Sequence, residues 1–163
     1  MTKFTHVTIL VCLMLGMACF CGCGKKGEYK GYVHVTQAEA ETFAEQLIAK
    51  FKQGDKQPFY DFGTDMDAVE AFHHLSSPNK KQGTLNAEQR KVVADSQAMK
   101  NHLYFDSLMS VEFVEVKEQL GSPAVVIDCK FDKTFKLMNK EQKFALNMVK
   151  KKDSGEIVVV FCF

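Results

Sequence analysis

The sequence has almost no excess of charge of either sign, with 21 Lys and Arg residues against 20 Asp and Glu in 163 residues. Counterion release from a nucleic acid requires a clustered excess of basic residues, so this balance excludes a strongly basic nucleic-acid binder. Arginine is nearly absent, since Arg90 is the one example. Recognition of phosphate or carboxylate by a guanidinium group can therefore depend on one side chain only, and we interpret the lysines as a solvated surface.

Glycine and proline are also scarce, at 10 and three residues, and neither a collagen repeat nor extended low complexity is present. The length and the 46% of hydrophobic residues fit one globular domain. The apolar run at residues 7–18 is about a dozen residues long. It is too short to cross a hydrocarbon core, which needs ~20 residues.

This run and its flanks are arranged as in a signal peptide: Lys3 and His6 precede the apolar run, and small residues and cysteines follow it. Residues 15–26 resemble the lipobox of bacterial lipoproteins, in which a cysteine is diacylated on sulfur, cleaved on its N-terminal side and N-acylated. Cys23 is the predicted lipidated residue, and Cys19 is the alternative. At ~0.8 kcal/mol for each buried methylene, three acyl chains would make attachment to a membrane permanent.

The chain is thus divided into a signal peptide (1–22), a lipidated cysteine with a polar tether (23–33) and a folded domain (34–163). Cleavage removes Lys3 and no acid, which leaves 20 basic and 20 acidic residues. A stretch of acidic residues just after the anchoring cysteine would resemble the surface-export signal of Bacteroidetes lipoproteins, and residues 24–28 contain no such stretch. We therefore expect a protein of the cell envelope, anchored in the outer membrane and facing the periplasm.

The folded domain shows helical periodicity first and strand periodicity afterwards. Three helices are predicted: one from a capping box at Thr36 and Glu39 to Gly54, a short one capped by Asp65 or Asp67, and a peripheral one from Asn86 to about His102. The aromatic segment 58–65 is predicted to be a loop. From Ser110 the period changes to two, which predicts four strands, and the last of them is apolar on both faces. It should be covered on both sides, by the first helix and by another element or a partner subunit.

The predicted fold class is α+β: a long N-terminal helix and two shorter helices packed on a curved antiparallel sheet of about four strands. This order, together with the helix end Phe51-Lys-Gln-Gly-Asp55, resembles small lipoproteins of unknown function in the cystatin-like roll superfamily, also called nuclear transport factor two-like. The resemblance covers residues 33–163. The lysine-rich, arginine-poor composition and the lipobox resemble a gut Bacteroidetes protein.

The resemblance brings no catalytic motif, although superfamily enzymes such as ketosteroid isomerase and scytalone dehydratase use Asp, His and Tyr side chains in the cavity between helix and sheet. Tyr60, Asp61 and His73 are the candidate polar groups of such a cavity. The predicted inward strand positions are apolar, which argues against catalysis. Adjacent His73 and His74 would point about 100° apart on a helix, so we expect no metal site, and no cofactor is predicted.

Cys129 and Cys162 are the remaining cysteines of the mature chain, and an envelope compartment permits a disulfide. In a simple meander, a third strand would separate their backbones by ~9–10 Å, beyond the ~7 Å limit for a bridge. A disulfide therefore requires the fourth strand to pair directly with the second. Otherwise Cys129 is a buried thiol.

We expect a non-catalytic binding or interaction module, with a membrane contact through the lipid and a second copy or an envelope protein as partner through the sheet. The alternative is a small-molecule-binding domain or enzyme that uses the helix–sheet cavity. A cystatin-like protease inhibitor ranks below both, since no glycine-plus-hairpin wedge is visible. A cavity of ~300 Å³ or more with convergent polar groups would favour the ligand-binding alternative, and a broad apolar sheet face would favour protein interaction.

Lipidation gives the first testable prediction. Cells fed a palmitate analogue should label the wild-type chain and a Cys19→Ala variant, and should not label a Cys23→Ala variant, because only Cys23 would carry the acyl groups. Gel fluorescence measures the label. Unchanged labelling of Cys23→Ala would contradict the assignment.

Overall fold

The computed structural model describes residues 27–79, 83, 85–132 and 140–162, with the backbone alone for residues 161 and 162. The signal peptide, Cys19 and Cys23 lie outside these residues, so lipidation stays a prediction. Among the described helices, none has the length and apolar character needed to cross a membrane.

Six strands and four helices occur in the described residues. In chain order they are β1 (Glu28–Tyr29), β2 (Tyr32–His34), α1 (Gln37–Lys52), α2 (Gln57–Tyr60), α3 (Met66–Ser76), α4 (Ala87–Phe105), β3 (Leu108–Gln119), β4 (Ser122–Phe131), β5 (Glu141–Lys151) and β6 (Ile157–Cys162). All strand pairs are antiparallel. The α+β class is therefore confirmed.

Two finer expectations differ from the structure. The sheet has six described strands rather than about four, and helix α1 follows a hairpin instead of opening the domain. Lys30 and Gly31 turn this hairpin with φ of 48° and 79°, and two positive values are what a type I′ turn requires. The folded part consequently begins earlier than the predicted boundary at residue 34, within the segment assigned to the tether.

Strand β5 is the centre of the sheet because both of its edges are occupied. Strand β4 pairs with residues 141–147, and β2 continues along the same edge opposite residues 149–151. Strand β6 pairs with the other edge opposite residues 146–150. Among the described strands, β3 pairs only with β4. The outer edges of β3 and β6 therefore pair with no other described strand.

Helices cover both faces of the sheet. On the inner face, Ala40, Ala44 and Leu47 of α1 pack with alternate residues of β4 and β5 in the larger core. On the outer face, α3 packs against β2, β5 and β6. Val159 of β6 lies in the inner core and Val160 in the outer one. Both faces of the last strand are therefore buried, as predicted, and α3 covers the outer one. The expectation that the first helix covers the other face is not confirmed, because α1 packs mainly on β3 and β4.

Helix α4 lies at the periphery, as predicted. Val92, Met99 and Leu103 are 62%, 70% and 58% exposed. The helix is attached through Asn101, whose Nδ2 donates hydrogen bonds to the carbonyl oxygens of Tyr60 and Phe62 at 2.9 and 2.7 Å. The segment predicted as an aromatic loop includes helix α2, with Pro58 in its first turn, where the missing N–H costs no hydrogen bond.

The register of the meander bears on the cysteines. Cys129 lies opposite Gln142 and Cys162 opposite Leu146, so β5 runs between them. Two strand spacings and four residues along β5 place the two backbones well beyond the ~7 Å that a disulfide spans. Cys129 is buried as a free thiol, and burial raises its pKa to about 12. The direct pairing of second and fourth strands that a bridge requires is not present.

Gly63 fastens the loop between α2 and α3 to the edge of β6. Its N–H donates to the Val159 carbonyl at 2.9 Å, its φ is 69°, and a Cβ there would lie 3.0 Å from the Val160 carbonyl oxygen. A side chain would therefore meet both a disfavoured φ and a backbone atom. Gly121 has a similar φ of 74° and open space around it.

We predict that Gly63→Ala lowers the free energy of unfolding by more than Gly121→Ala does. Gly121→Ala should cost about 1–2 kcal/mol for the positive φ alone. Gly63→Ala should cost roughly 1–3 kcal/mol more, because the loop must move away from β6. Urea denaturation of the full chain in mild detergent measures both, and equal losses would contradict the close approach.

Candidate functional site

A groove of about 660 Å³ opens between α1, α2 and the first half of β6, and we call it the α1–β6 groove. One wall is a stripe of α1 in which Glu39, Phe43, Gln46 and Lys50 recur at spacings of four, three and four, so they share one side of the helix. Residues 155–159 line the side formed by the sheet, and Pro58, Asp61 and Phe62 complete the lining. Apolar and polar side chains thus face the same space.

The start of α1 is held by a capping box, which also positions the groove wall. The Thr36 hydroxyl accepts from the Glu39 N–H, and the Glu39 carboxylate accepts from the Thr36 N–H at 2.8 Å. The same carboxylate binds Nζ of Lys150 on β5. The Lys150 hydrogen bond, followed by the Thr36 N–H, lowers the pKa of Glu39 to about 2. Glu39 therefore stays ionised and links helix α1 to the sheet.

At the β5–β6 turn, Glu156 is also paired. Its carboxylate lies 2.8 Å from Nζ of Lys151, and this hydrogen bond raises the pKa of that lysine. Asp61 accepts a hydrogen bond at 2.8 Å from the side-chain amide of Gln57, one turn earlier. With Glu39 and Glu156 neutralised by lysines of β5, Asp61 and Lys50 are the remaining charges of the groove, and they are opposite in sign.

The structure does not bring the three predicted cavity residues together. Asp61 lines the groove. Tyr60 points instead to α4, where its hydroxyl donates to Asp106 at 2.8 Å and its ring stacks on His102 at 3.9 Å. Burial, and then the Asp106 hydrogen bond, raises the pKa of Tyr60 to about 12. His73 belongs to α3, on the opposite face of the sheet.

Arg90 is already occupied. Its guanidinium binds carboxylates of Asp67 and Glu70 on α3, and Glu70 also receives the Tyr29 hydroxyl and the Lys30 amine at 2.8 and 3.0 Å. The Arg90 hydrogen bond, followed by those of Tyr29 and Lys30, lowers the pKa of Glu70 to about 2. The only guanidinium in the sequence therefore ties α4 to α3.

Two buried polar side chains on the outer face of the sheet were not predicted from the sequence. Asn147 is fully buried, Ser122 is 1% exposed, and neither has a side-chain hydrogen-bond partner among the described residues. The register puts Asn147 opposite Ala124, two residues from Ser122 on the same face. In the sequence, Asn147 alternates with apolar neighbours and so resembles a solvent-facing position. Asn147 is buried because other elements cover this face of the sheet, and the sequence does not show that cover.

Within the described residues, no group of three or more His, Cys, Asp or Glu side chains is arranged to hold a metal ion. The described residues that line the α1–β6 groove include no His, Cys or Ser. Comparison with known proteins adds no family, because no family model, no curated protein and no solved structure matches the chain.

The Glu39–Lys150 pair gives a pH prediction. A carboxyl whose folded pKa lies below its unfolded value stabilises the fold above the unfolded pKa, and this contribution is lost as pH falls from about 4.5 towards about 2. Glu39→Gln should therefore lower the free energy of unfolding at pH 7 by about 1–2 kcal/mol, after allowance for solvent screening.

The difference between wild type and Glu39→Gln should shrink as the pH falls through that range in urea denaturation. Glu41→Gln is the matched control on the same helix, since Glu41 is exposed and, among the described residues, accepts a hydrogen bond only from the side chain of Gln37. A pH-independent difference at Glu39, or an equal loss at Glu41, would contradict the role of the pair.

Proposed function

We propose that this protein is a lipid-anchored lipoprotein of the bacterial cell envelope whose α+β domain is a non-catalytic binding module, with the α1–β6 groove as its binding site. The groove carries the proposal. At about 660 Å³ it exceeds the ~300 Å³ of a small-molecule pocket, and Phe43 and Phe62 face it together with Gln46 and Asp61. Such a mixture gives contact area and a few orienting hydrogen bonds.

The ionisation states and the burial of the titratable groups support binding rather than catalysis. Glu39 is ionised and held by Lys150, and the high pKa of Cys129 keeps that buried thiol protonated at neutral pH. A general acid or base needs a pKa near the working pH and access to the substrate. Neither residue meets both conditions, and Tyr60 faces away from the groove.

We propose further that the domain is a cystatin-like roll. Two irregularities in the pairing of β3 with β4, at Leu108/Ser110 and at Phe113/Glu115, support a sheet bent around α1, because bulges bend the strand that contains them. For a second copy or an envelope protein as partner, the free edge of β3 is a better surface than a sheet face. Helices α1 and α3 cover the two faces.

A matched pair of groove variants tests the binding site. The full chain in detergent is screened by fluorine-detected NMR against a library of small neutral amides and aromatic compounds. Fragments should bind the wild type, and Gln46→Trp should weaken binding at least about tenfold, because the indole would fill the groove. Glu45→Trp places the same side chain one residue away, on an exposed position outside the groove lining.

Binding that is retained in Glu45→Trp and lost in Gln46→Trp supports the groove as the site. If no fragment binds, or if both variants bind as the wild type does, the proposed function is wrong.

A further inference from the structure

We propose that the α1–β6 groove takes an extended polypeptide segment, which adds to the sheet as a strand beside β6. The inference rests on the proposed function, because it names the class of ligand for the same groove. It depends on the direction of the main-chain groups of β6, which the strand register determines.

The register identifies the residues of β6 that point outward. Lys151 donates its N–H to the Glu156 carbonyl at 2.8 Å, so this is a hydrogen-bonded pair. Hydrogen-bonded and non-hydrogen-bonded pairs alternate in an antiparallel ladder. Lys150 and Ile157, the next pair, are therefore of the second kind. The N–H and C=O of Ile157 point away from β5, towards the outer edge.

The neighbouring outward-facing residue shows that this edge accepts main-chain donors. Val159 has the same orientation as Ile157, and its carbonyl receives the Gly63 N–H at 2.9 Å. The loop between α2 and α3 thus occupies the edge at Val159. Ile157 lies two residues earlier, ~7 Å along the strand. No other described main-chain group bonds to its outward N–H or C=O.

The walls of the groove suit the side chains of such a segment. Residues 156–158 leave roughly 10 Å of edge between the β5–β6 turn and the loop at Val159, which is room for about three residues of an added strand. Alternate side chains of an added strand point to opposite faces, so every second one would lie over Phe43 and Phe62. Asp61 and Lys50 balance each other, which favours a segment with apolar residues at alternate positions and little net charge.

A polypeptide fits these groups better than a rigid small molecule does. The outward N–H of a strand residue can donate to a C=O of an added strand, and its outward C=O can accept from an N–H of the same added residue. Strand addition of this kind obtains affinity from main-chain hydrogen bonds. The apolar wall then selects side chains. Both recognition elements are present in one groove.

The test uses a fluorescent array of seven-residue peptides in which Val or Phe alternates with Thr or Ser. The best binder is then made in two N-methylated forms, each lacking the N–H groups of one edge. Anisotropy with the full chain in detergent should show that one form binds at least about tenfold more weakly, while the other changes less than about threefold.

Ile157→Pro should weaken the unmodified peptide at least about tenfold, since it removes an outward donor that β5 does not use. Val158→Pro is the contrasting variant: it removes a donor to β5 and should destabilise the fold. Hydrogen exchange provides a readout that needs no variant. The Ile157 amide should exchange quickly in the free protein and slowly with peptide bound, whereas the Val158 amide is protected in both.

The proposal is wrong if no peptide of the array binds, if both N-methylated forms bind equally, or if peptide leaves exchange at Ile157 unchanged. If the peptides fail to bind but fragments bind the wild type and not Gln46→Trp, the proposed function stands and the ligand belongs to another class. Failure of both experiments would remove the groove as a binding site.

Discussion

Strand β5 is hydrogen-bonded to other strands along both edges and is packed on both faces, and most of the structure depends on these contacts. At Lys150, the backbone lies between Val33 of β2 and Ile157 of β6, and the side chain reaches Glu39 at the start of α1. One residue thus joins three strands and the principal helix. At Val149, between the same two strands, the side chain turns to the opposite core beneath α3. Because neighbouring residues alternate between faces, the two helices are held to the sheet by consecutive positions of one strand.

This arrangement also explains why the groove lies where it does. Helix α1 packs over β3 and β4 on the inner face, and its first turns are drawn to β5 by the Glu39–Lys150 pair. Strand β6 extends the sheet on the far side of β5, beyond the reach of this helix. The loop at Gly63 closes only the part of the β6 edge at Val159. The space left between helix, loop and strand edge is the groove.

The sequence predicted the elements that depend on local chemistry. The capping box at Thr36 and the start at Asn86 are confirmed, and of the two predicted caps, Asp65 and Asp67, the structure has Asp65. These predictions succeed because a cap is a contact within one turn of helix. The β1–β2 hairpin was missed since two strands of two and three residues have too few positions to show a period. Its signal was Gly31 after a polar residue, between two tyrosines that pair across the turn.

The site depended more on tertiary contacts, which is why its prediction was partial. Asp61 lies in the lining of the α1–β6 groove, whereas its neighbour Tyr60 points to the other side of α2. Spacing in the sequence cannot separate two adjacent residues of a short helix that has packing partners on both sides. The α1 stripe with Phe43 and Gln46 was not predicted to line a site. Whether a helix side lies over a sheet or over its open edge is decided by the register of distant strands.

The near-zero charge and the single arginine limit how the proposed module can bind anything. Lys30, Lys151 and Lys152 cluster at two adjoining hairpins, yet each lies within 3.0 Å of a carboxylate, on Glu70, Glu156 and Glu28 respectively. Arg90 is held by two acids of α3. Exposed pairs of this kind add little stability, but they leave little uncompensated positive charge to attract an anion. Recognition then has to come from groups that carry no charge, and in the α1–β6 groove these are the outward main chain of Ile157 and the rings of Phe43 and Phe62. A chain with this composition is suited to a ligand recognised by its backbone and its apolar side chains.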